Sequence, residues 1–419
     1  MSHSLQPPGL PALLRVLSDV DGLAVFDAGP QWTVVTWGEG PRVEHGADWQ
    51  AQARALLTGR RSDPALPFSG GLVGWIGYEA GRVMERMPDP RSPRPLADLM
   101  LWRTEGALCL DRQADQWHIS GSRRFREQAA SRLADAHMPL SRSPPATPHA
   151  PPSEAADRYQ QGVRRILKAI AAGDVYQTCL AWEHTVPAMS DPVASWISLR
   201  AHNPALRGAL LRHRGDYILS NSPELFLQID RTGDALTALS IPIKGTARCS
   251  EGETGRLALW ESAKERAELT MIVDLVRNDL GRVARPGSVH AAPRRLRRCG
   301  DLLHAEQPVT ATLEDGRDAL DAVGAAFPPG SVTGAPKVAA MSLIGELESR
   351  PRGVYTGSIG FFGDDGRAHL SVAIRTATVT DQTCRFHIGA GIVADSNPER
   401  EWTETLAKGH ALGHWLGAP

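Results

Sequence analysis

The sequence predicts an α+β protein, and three observations carry that expectation. Strand-like and helix-like stretches follow one another in mixed order, which argues against a doubly wound parallel sheet with its strict alternation. The chain has 419 residues, enough for a large core and more than one ordinary domain requires. Its 42% hydrophobic and 22% charged residues are the balance of a globular protein.

The elements run as follows. Short strand-like runs at 32–35 and 101–102 flank the glycine-rich stretch PFSGGLVGWIGYEAG. Residues 139–153, PLSRSPPATPHAPPS, are rich in proline and serine without apolar periodicity, so a linker is expected there. It divides an N-terminal portion, 1–138, from a C-terminal portion, 154–419. Residues 157–172 read as an amphipathic helix with Val163, Ile166, Leu167 and Ile170 on one face and Gly173 as its stop. Strands then dominate through VYQTCLAWEH, YILSNSPELFLQI and ALTALSIPIKGT. A helix from about Ser262 carries KERAELTMIVDLVRNDLGRV. TGSIGFF, AHLSVAIRTATV and CRFHIGAGIVA read as strands, and 399–412 as a last helix. No internal repeat at solenoid period is present.

Composition also excludes functions. Lysine and arginine number 46 against 47 acidic residues, so a general nucleic-acid or anionic-membrane surface is not expected. The start lacks the pattern of a signal peptide, and no apolar run approaches a membrane span. Cys109, Cys179, Cys249, Cys299 and Cys384 are scattered and form no CxxC pair, which fits a reduced cytoplasm. The histidines form no zinc spacing.

Two ExxE spacings carry chemistry. Glu265 and Glu268 lie three apart in one expected helix, and Glu401 and Glu404 repeat the spacing in the last one. Residues three apart share a helix face, so two such helices could build an all-oxygen site for a hard cation such as Mg²⁺. The spacing is equally that of a solvated helix surface, with Lys264, Arg266, Arg400 and Lys408 nearby. PPGSVTGAPK fails the GxxxxGK[ST] spacing of a nucleotide-binding loop. What survives is a run of backbone N–H groups opening a helix, suited to a carboxylate as well as a phosphate. Gly389, Ala390 and Gly391 form a second such stretch at the end of a strand. Arg375, inside the apolar strand SVAIRTATV, is an inward cation that needs a carboxylate from the protein or from a ligand. Lys244 in IPIKGT is either a buried amine nucleophile or a surface lysine with a buried stem. Arg294, Arg295, Arg297 and Arg298 read as a solvated face.

The blocks PFSGGLVGWIGYE, GDVYQTCLAWE, SNSPELFL, IPIKGTAR, KERAELTMIVDLVRNDLGRV, PPGSVTGAPKVAAM, YTGSIGFF, SVAIRTATV and GAGIVADSNPEREWTETLAK occur in one order. Together they resemble the chorismate-utilising enzymes over nearly all of 67–408. The resemblance implies two large β-sheets packed face to face with helices outside and the active site between them, the N-terminal portion included in the same unit. It implies Mg²⁺ bound by Glu268 and Glu404, with Glu265 and Glu401 supporting from behind. It further implies chorismate as substrate, its ring carboxylate near Gly389, Ala390, Gly391, Gly334 and Lys408. Arg375 and Tyr355 would then hold the enolpyruvyl carboxylate, Thr246 and His304 would lie near the ring, and Glu224 would be the general acid. Gln307 departs from the serine usual after that histidine.

Two positions discriminate within the family. Water-adding members carry a lysine where this chain has Gln177. C2-aminating members, the anthranilate synthases, carry PIAGT where this chain has PIKGT. A lysine at position 244 resembles the aminodeoxychorismate synthases, in which it is a nucleophile. The resemblance therefore implies chorismate amination at C4. Because no GxCxG amidotransferase nucleophile is present, it also implies ammonia from a separate glutamine amidotransferase subunit. Anthranilate synthase and a non-catalytic amidotransferase-binding member are the alternatives.

Overall fold

The computed structural model describes residues 8–416 except 45, 47, 60–62, 89–94 and 138–152. The expected linker therefore lies outside the described residues, except for Ser153, which opens the helix Ser153–Ala172.

Two antiparallel sheets dominate. One has ten strands in the order Gly334–Ala335, Gln177–Pro187, Thr383–Ile392, Thr376–Thr380, Asp216–Ser222, Arg207–His213, Leu23–Ala28, Trp32–Thr36, Gly106–Asp111 and Gln116–Gly121. The other has nine: His290–Ala291, Val309–Thr312, Ala235–Ile241, Leu225–Thr232, Ala368–Val372, Ser358–Gly363, Gly71–Ile76, Leu99–Thr104 and Arg42–Glu44. A three-stranded sheet joins Ile243–Arg248, Leu302–Glu306 and Arg295–Cys299. The fold is α+β, as the mixed element order predicts.

Alternation along the strands explains how the sheets stack. In Leu23–Ala28, Ala24 and Phe26 face the second sheet and join a core with Val73, Trp75, Trp102, Ile359 and Phe361. Phe26 and Phe361 meet edge-on across that gap at 5.7 Å. Leu23 and Val25 face the other way, into a cluster shared with the helices Leu10–Leu17 and Pro192–His202. The outer face of the nine-stranded sheet, including Leu72, Leu101 and Leu227, packs on the helices Trp49–Leu56, Ala263–Gly281 and Ala319–Ala326. The order of layers is helix, sheet, sheet, helix.

Residues before and after the linker share both sheets. Leu23–Ala28 pairs with Arg207–His213, and Gly71–Ile76 with Ser358–Gly363.

One topological feature makes the site. The stretch YILSNSPELFLQI forms two strands in different sheets, Asp216–Ser222 and Leu225–Thr232, separated by Pro223 and Glu224. Its partner HLSVAIRTATV divides in the same way into Ala368–Val372 and Thr376–Thr380. The two chains stay paired on each side of the break, Ser220 with Thr376 and Leu225 with Ser371. A two-stranded ribbon thus passes from one sheet to the other. Arg375 is at this crossing rather than inside a strand. Its φ of +51° takes the backbone out of the extended region and ends the pairing.

Candidate active site

The crossing brings Glu224 and Arg375 towards the three-stranded sheet, where Lys244 acts on Glu224 and Arg375 acts on His304. Glu224 is 5% exposed, and burial pushes its carboxyl up to about 7. The Ser331 hydroxyl, the charge of Lys244, the N–H of Ile243 and the charge of Arg207 favour the carboxylate and limit that rise. An acid poised near neutrality can donate a proton at working pH. Arg375 has no hydrogen-bonded or carboxylate partner for its guanidinium among the described residues, and burial lowers its proton affinity.

Lys244 enters from the strand Ile243–Arg248, which begins just after Pro242 breaks the preceding strand. Its side chain is 13% exposed, so it is not a surface lysine. Nζ lies 3.8 Å from Glu268 Oε2. It is also close to Gly391, since a Cβ on that glycine would fall 3.3 Å from Nζ and 2.8 Å from Gln177 Nε2. Gly391 therefore leaves room for both side chains. Gln177 is fully buried, and its Oε1 has no partner. Gly245, at φ +74°, keeps space for Glu265, whose Oε2 would be 2.9 Å from a Cβ there. Thr246 Oγ1 and His304 Nδ1 are 3.1 Å apart, while His304 Nε2 is buried without a partner. Burial, then the neighbouring Arg375, lower the His304 pKa to about 4, which keeps the imidazole neutral.

The helix Ala263–Gly281 begins where the Ser262 hydroxyl accepts from the N–H of Glu265, and its Leu269, Ile272, Val273 and Leu280 are buried. That packing fixes which way Glu265 and Glu268 point. The last helix, Pro398–Leu416, carries Glu401, Glu404 and Lys408. Burial raises the Glu268 pKa, and Glu265 adds to this against Lys244, Lys264 and Lys408. Burial also works against the Glu404 carboxylate. Lys408, 2.8 Å away, with Lys264 and Lys244 nonetheless brings its pKa below the usual value. Glu268 and Glu404 thus feel the same three lysines and flank one space. Glu401 is turned aside and accepts from Ser396 Oγ at 2.7 Å. No group of three or more His, Cys, Asp or Glu is gathered as a metal cage among the described residues. Glu268 and Glu404 present the hard oxygen donors that Mg²⁺ takes, with the lysines now balancing their charge.

Tyr355 stacks on His387, with centroids 5.0 Å apart and planes at 10°. Gly389, Ala390 and Gly391 lie within a strand and pair with Ala181, Leu180 and Cys179. The pairing of that strand on its other edge ends at Phe386, so backbone groups beyond it face the site without a strand partner among the described residues. Gly334 pairs with Thr178, at φ +141°, where a Cβ would strike the Gln177 carbonyl.

Several sequence expectations are redirected. Lys337, in the stretch that fails the nucleotide-loop spacing, is buried, and its Nζ donates to Asp279 Oδ2 and the Ala326 carbonyl, both at 2.7 Å. The arginine cluster is partly spoken for. Arg295 and Arg297 reach the buried Glu306 at 2.8 and 3.5 Å, and Arg294 covers Trp260 at 4.9 Å. Gln307 donates its N–H to the Pro242 carbonyl. Ser331, Arg207 and Arg352 are polar groups of the site that the sequence reading missed. Ser331 and Arg352 lie outside regular strands and long helices and carry no periodic signal, and Arg207 is a single polar residue opening a strand, although the i, i+4 spacing of Glu348 and Arg352 could have marked a pair. A groove of about 1420 Å³ near Trp37, Arg103 and Asp364 contains none of the expected site residues. No helix among the described residues is long and apolar enough to cross a membrane.

Comparisons with known proteins agree with this arrangement. The family model described as "chorismate binding enzyme" matches residues 23–413. An anthranilate synthase component 1 of Haloarcula marismortui is 37% identical over 84% of this chain and 74% of its own. An aminodeoxychorismate synthase component 1 of Salmonella typhimurium is 36% identical over 88% of this chain and 81% of its own. The crystal structure of anthranilate synthase component I from Streptococcus pneumoniae superposes with a TM-score of 0.82 at 25% identity, covering 91% of this chain and 92% of its own. With the ribbon crossing, the acidic helices and the family match in agreement, the chain belongs to the chorismate-binding enzyme family.

Proposed function

We propose that the chain is a component I of aminodeoxychorismate synthase, replacing the 4-hydroxyl of chorismate by an amino group. The observation that carries this reading is the position of Lys244 Nζ, within the site beside Gly391 and 3.8 Å from Glu268. An alanine there would leave space for ammonia at C2; a lysine fills that space with an amine.

The reaction follows from the residues. The Lys244 amine forms a bond to C2, the ring double bonds shift, and the C4–O bond breaks. Glu224, protonated near neutrality because it is buried, gives its proton to the leaving hydroxyl, which departs as water. Ammonia then bonds to C4, the double bonds shift back, and the C2–N bond breaks to release Lys244. One proton passes from the new amine to the Glu224 carboxylate, restoring the acid. Arg375, lacking a protein carboxylate, and Tyr355, held flat by His387, would grip the enolpyruvyl carboxylate. Glu268 and Glu404 would hold Mg²⁺, which when bound supplies positive charge to the ring carboxylate. Gln177, a neutral amide beside Lys244, offers no base for activating water. Ammonia would come from a separate glutamine amidotransferase subunit.

The names of several similar proteins favour a second reading, anthranilate synthase. Incubation with chorismate, Mg²⁺ and ammonium at raised pH separates the two. 4-Amino-4-deoxychorismate without pyruvate release supports the proposal; anthranilate with equimolar pyruvate overturns it.

A further inference from the structure

We infer that Arg352 is a positioning residue: with Glu348 it takes over the edge hydrogen bonding of the strand Gln177–Pro187 and holds together three segments that bring Gln177, Ser331 and Tyr355 to the site. The inference rests on the reading above for what those segments do, but not for the clamp itself.

Among the described residues that strand has a strand partner on its outer edge only at its start, where Gln177 and Thr178 pair with Ala335 and Gly334. The next N–H, of Cys179, donates to the Thr333 carbonyl at 2.9 Å. From there two side chains continue the ladder. Arg352 Nη2 donates to the Cys179 carbonyl at 2.9 Å, and Glu348 Oε1 accepts from the Ala181 N–H at 2.9 Å. Without them the edge would bury an unpaired carbonyl and an unpaired N–H.

The rest of the guanidinium is equally committed. Nε and Nη2 donate to the two oxygens of Glu348 at 2.8 and 2.6 Å. Nη1 donates to the Val332 carbonyl at 3.0 Å and to Thr356 Oγ1 at 3.2 Å. All five N–H groups therefore have acceptors, from a helix, a strand, a loop and the turn that carries Tyr355. The cation lies 4.6 Å over the Tyr78 ring and 5.9 Å from that of Tyr355. Its own backbone is fixed too, because the N–H groups of Arg352 and Gly353 donate to the two oxygens of Glu79, each at 2.8 Å.

An apolar pair of similar volume could glue this helix to the sheet at least as well, because burying two charges costs desolvation. It could not hold the Val332 carbonyl, and Val332 follows Ser331, whose hydroxyl favours the Glu224 carboxylate. Lysine could not substitute, since its three donors radiate from one point rather than along a planar fork. The clamp thus links the register of an edge strand to the proton affinity of the acid. Loosening the loop draws the Ser331 hydroxyl away and raises the Glu224 pKa, while Lys244 and Arg207, the charged groups facing Glu224 from other elements, are unchanged.

The test uses the full chain. Arg352→Lys keeps the charge and is expected to speed amide exchange at Cys179 and Ala181 by about tenfold, the loss of roughly one hydrogen bond. It is also expected to move the alkaline limb of kcat/KM for chorismate amination to higher pH. Arg103→Lys, which alters the Arg103–Asp364 pair away from the site, should move neither. If Arg352→Lys does not fold, the paired variant Arg352→Met with Glu348→Leu removes both charges at similar volume and is read the same way. Wild-type exchange and a wild-type alkaline limb in either folded variant would overturn the inference. Should the wild type fail to aminate chorismate, the functional reading falls, and the exchange rates alone decide the clamp.

Discussion

Lys244 Nζ and Glu268 Oε2 lie 3.8 Å apart, so the proposed nucleophile and a proposed metal ligand share one electrostatic environment. Glu268 is 13% exposed, as is Lys244, and it also has Lys264 at 3.9 Å. The side-chain amine of Lys244 is thus held beside the carboxylates proposed to take the metal.

The first prediction concerns that amine. Chorismate and Mg²⁺ without ammonia are expected to give an enzyme adduct by intact-protein mass spectrometry, and peptide mapping is expected to locate it at Lys244. Lys244→Ala should lose the adduct and open space at C2, allowing anthranilate or its precursor to form. Lys244→Arg should be inactive, since a guanidinium keeps its proton at any working pH. An adduct on another residue, or unchanged C4 amination in Lys244→Ala, removes the lysine from the mechanism.

Glu224 gives a prediction in pH. With its carboxyl pushed up to about 7 by burial, the acid is lost as pH rises past that value, so kcat/KM should decline there. Glu224→Gln should lower kcat by about 10²–10⁴-fold. It should also stabilise the fold at pH 8. A folded-state pKa above the unfolded value contributes stability below about 4.5 that is lost as pH rises through about 7. Removing the charge recovers about 1–3 kcal/mol at pH 8 and nothing at pH 4. Urea denaturation at the two pH values checks both signs.

The metal proposal is tested by binding and by turnover. Isothermal titration of Mg²⁺ into the protein should give one site, lost in Glu268→Gln and in Glu404→Gln, with the fold retained because an amide matches a carboxylate in size. Full amination in the presence of EDTA would dismiss the site.

The periodic parts of the molecule were legible in the sequence, and the departures from period were not. Val163, Ile166, Leu167 and Ile170 announced a helix observed at Ser153–Ala172, and the ExxE spacings fell on helices whose apolar faces fix their direction. Arg375 was different. Its neighbours alternate as one long strand would, yet the strand breaks there because the ribbon changes sheet. A crossing of this kind is set by which sheet each half pairs with, a long-range choice that local alternation does not record. Glu224 became legible only through the family blocks; Pro223 before it marks the break but not where the acid points. The influence of Ser331 on Glu224 joins positions 107 residues apart in sequence, beyond any local pattern.

Lys337 and Asp279 offer a stability prediction separate from catalysis. Both are buried, 2.7 Å apart, with Lys337 also bonded to the Ala326 carbonyl. Lys337→Met leaves the buried Asp279 carboxylate to Arg282, 3.5 Å away, and should cost about 3 kcal/mol, the low end for breaking a buried pair. Replacing both, Lys337→Met with Asp279→Leu, should recover most of that loss. Chemical denaturation of the two variants measures the difference, and equal destabilisation by both would show that the pair is not the source.

Gly391 and Gly389 separate a catalytic effect from a packing effect within one strand. A Cβ on Gly391 would meet the ends of two flexible side chains, Gln177 Nε2 at 2.8 Å and Lys244 Nζ at 3.3 Å. Those ends can move by a few tenths of an ångström, so Gly391→Ala should fold with nearly unchanged stability. The movement, however, falls on the proposed nucleophile, and a misplacement of about 1 Å can cost about 10²-fold in rate. Gly389→Ala meets backbone instead, with the Leu180 carbonyl at 2.4 Å and Ala181 Cα at 2.9 Å. The strand Gln177–Pro187 cannot yield there without breaking its ladder, so this variant should lower the thermal midpoint. The expected pattern is therefore a stable, poorly active Gly391→Ala beside a destabilised Gly389→Ala, read from melting curves and single-turnover adduct formation. If Gly391→Ala forms the Lys244 adduct at the wild-type rate, the glycine is not what keeps the amine in place, and the nucleophile must be positioned from the Glu268 side alone.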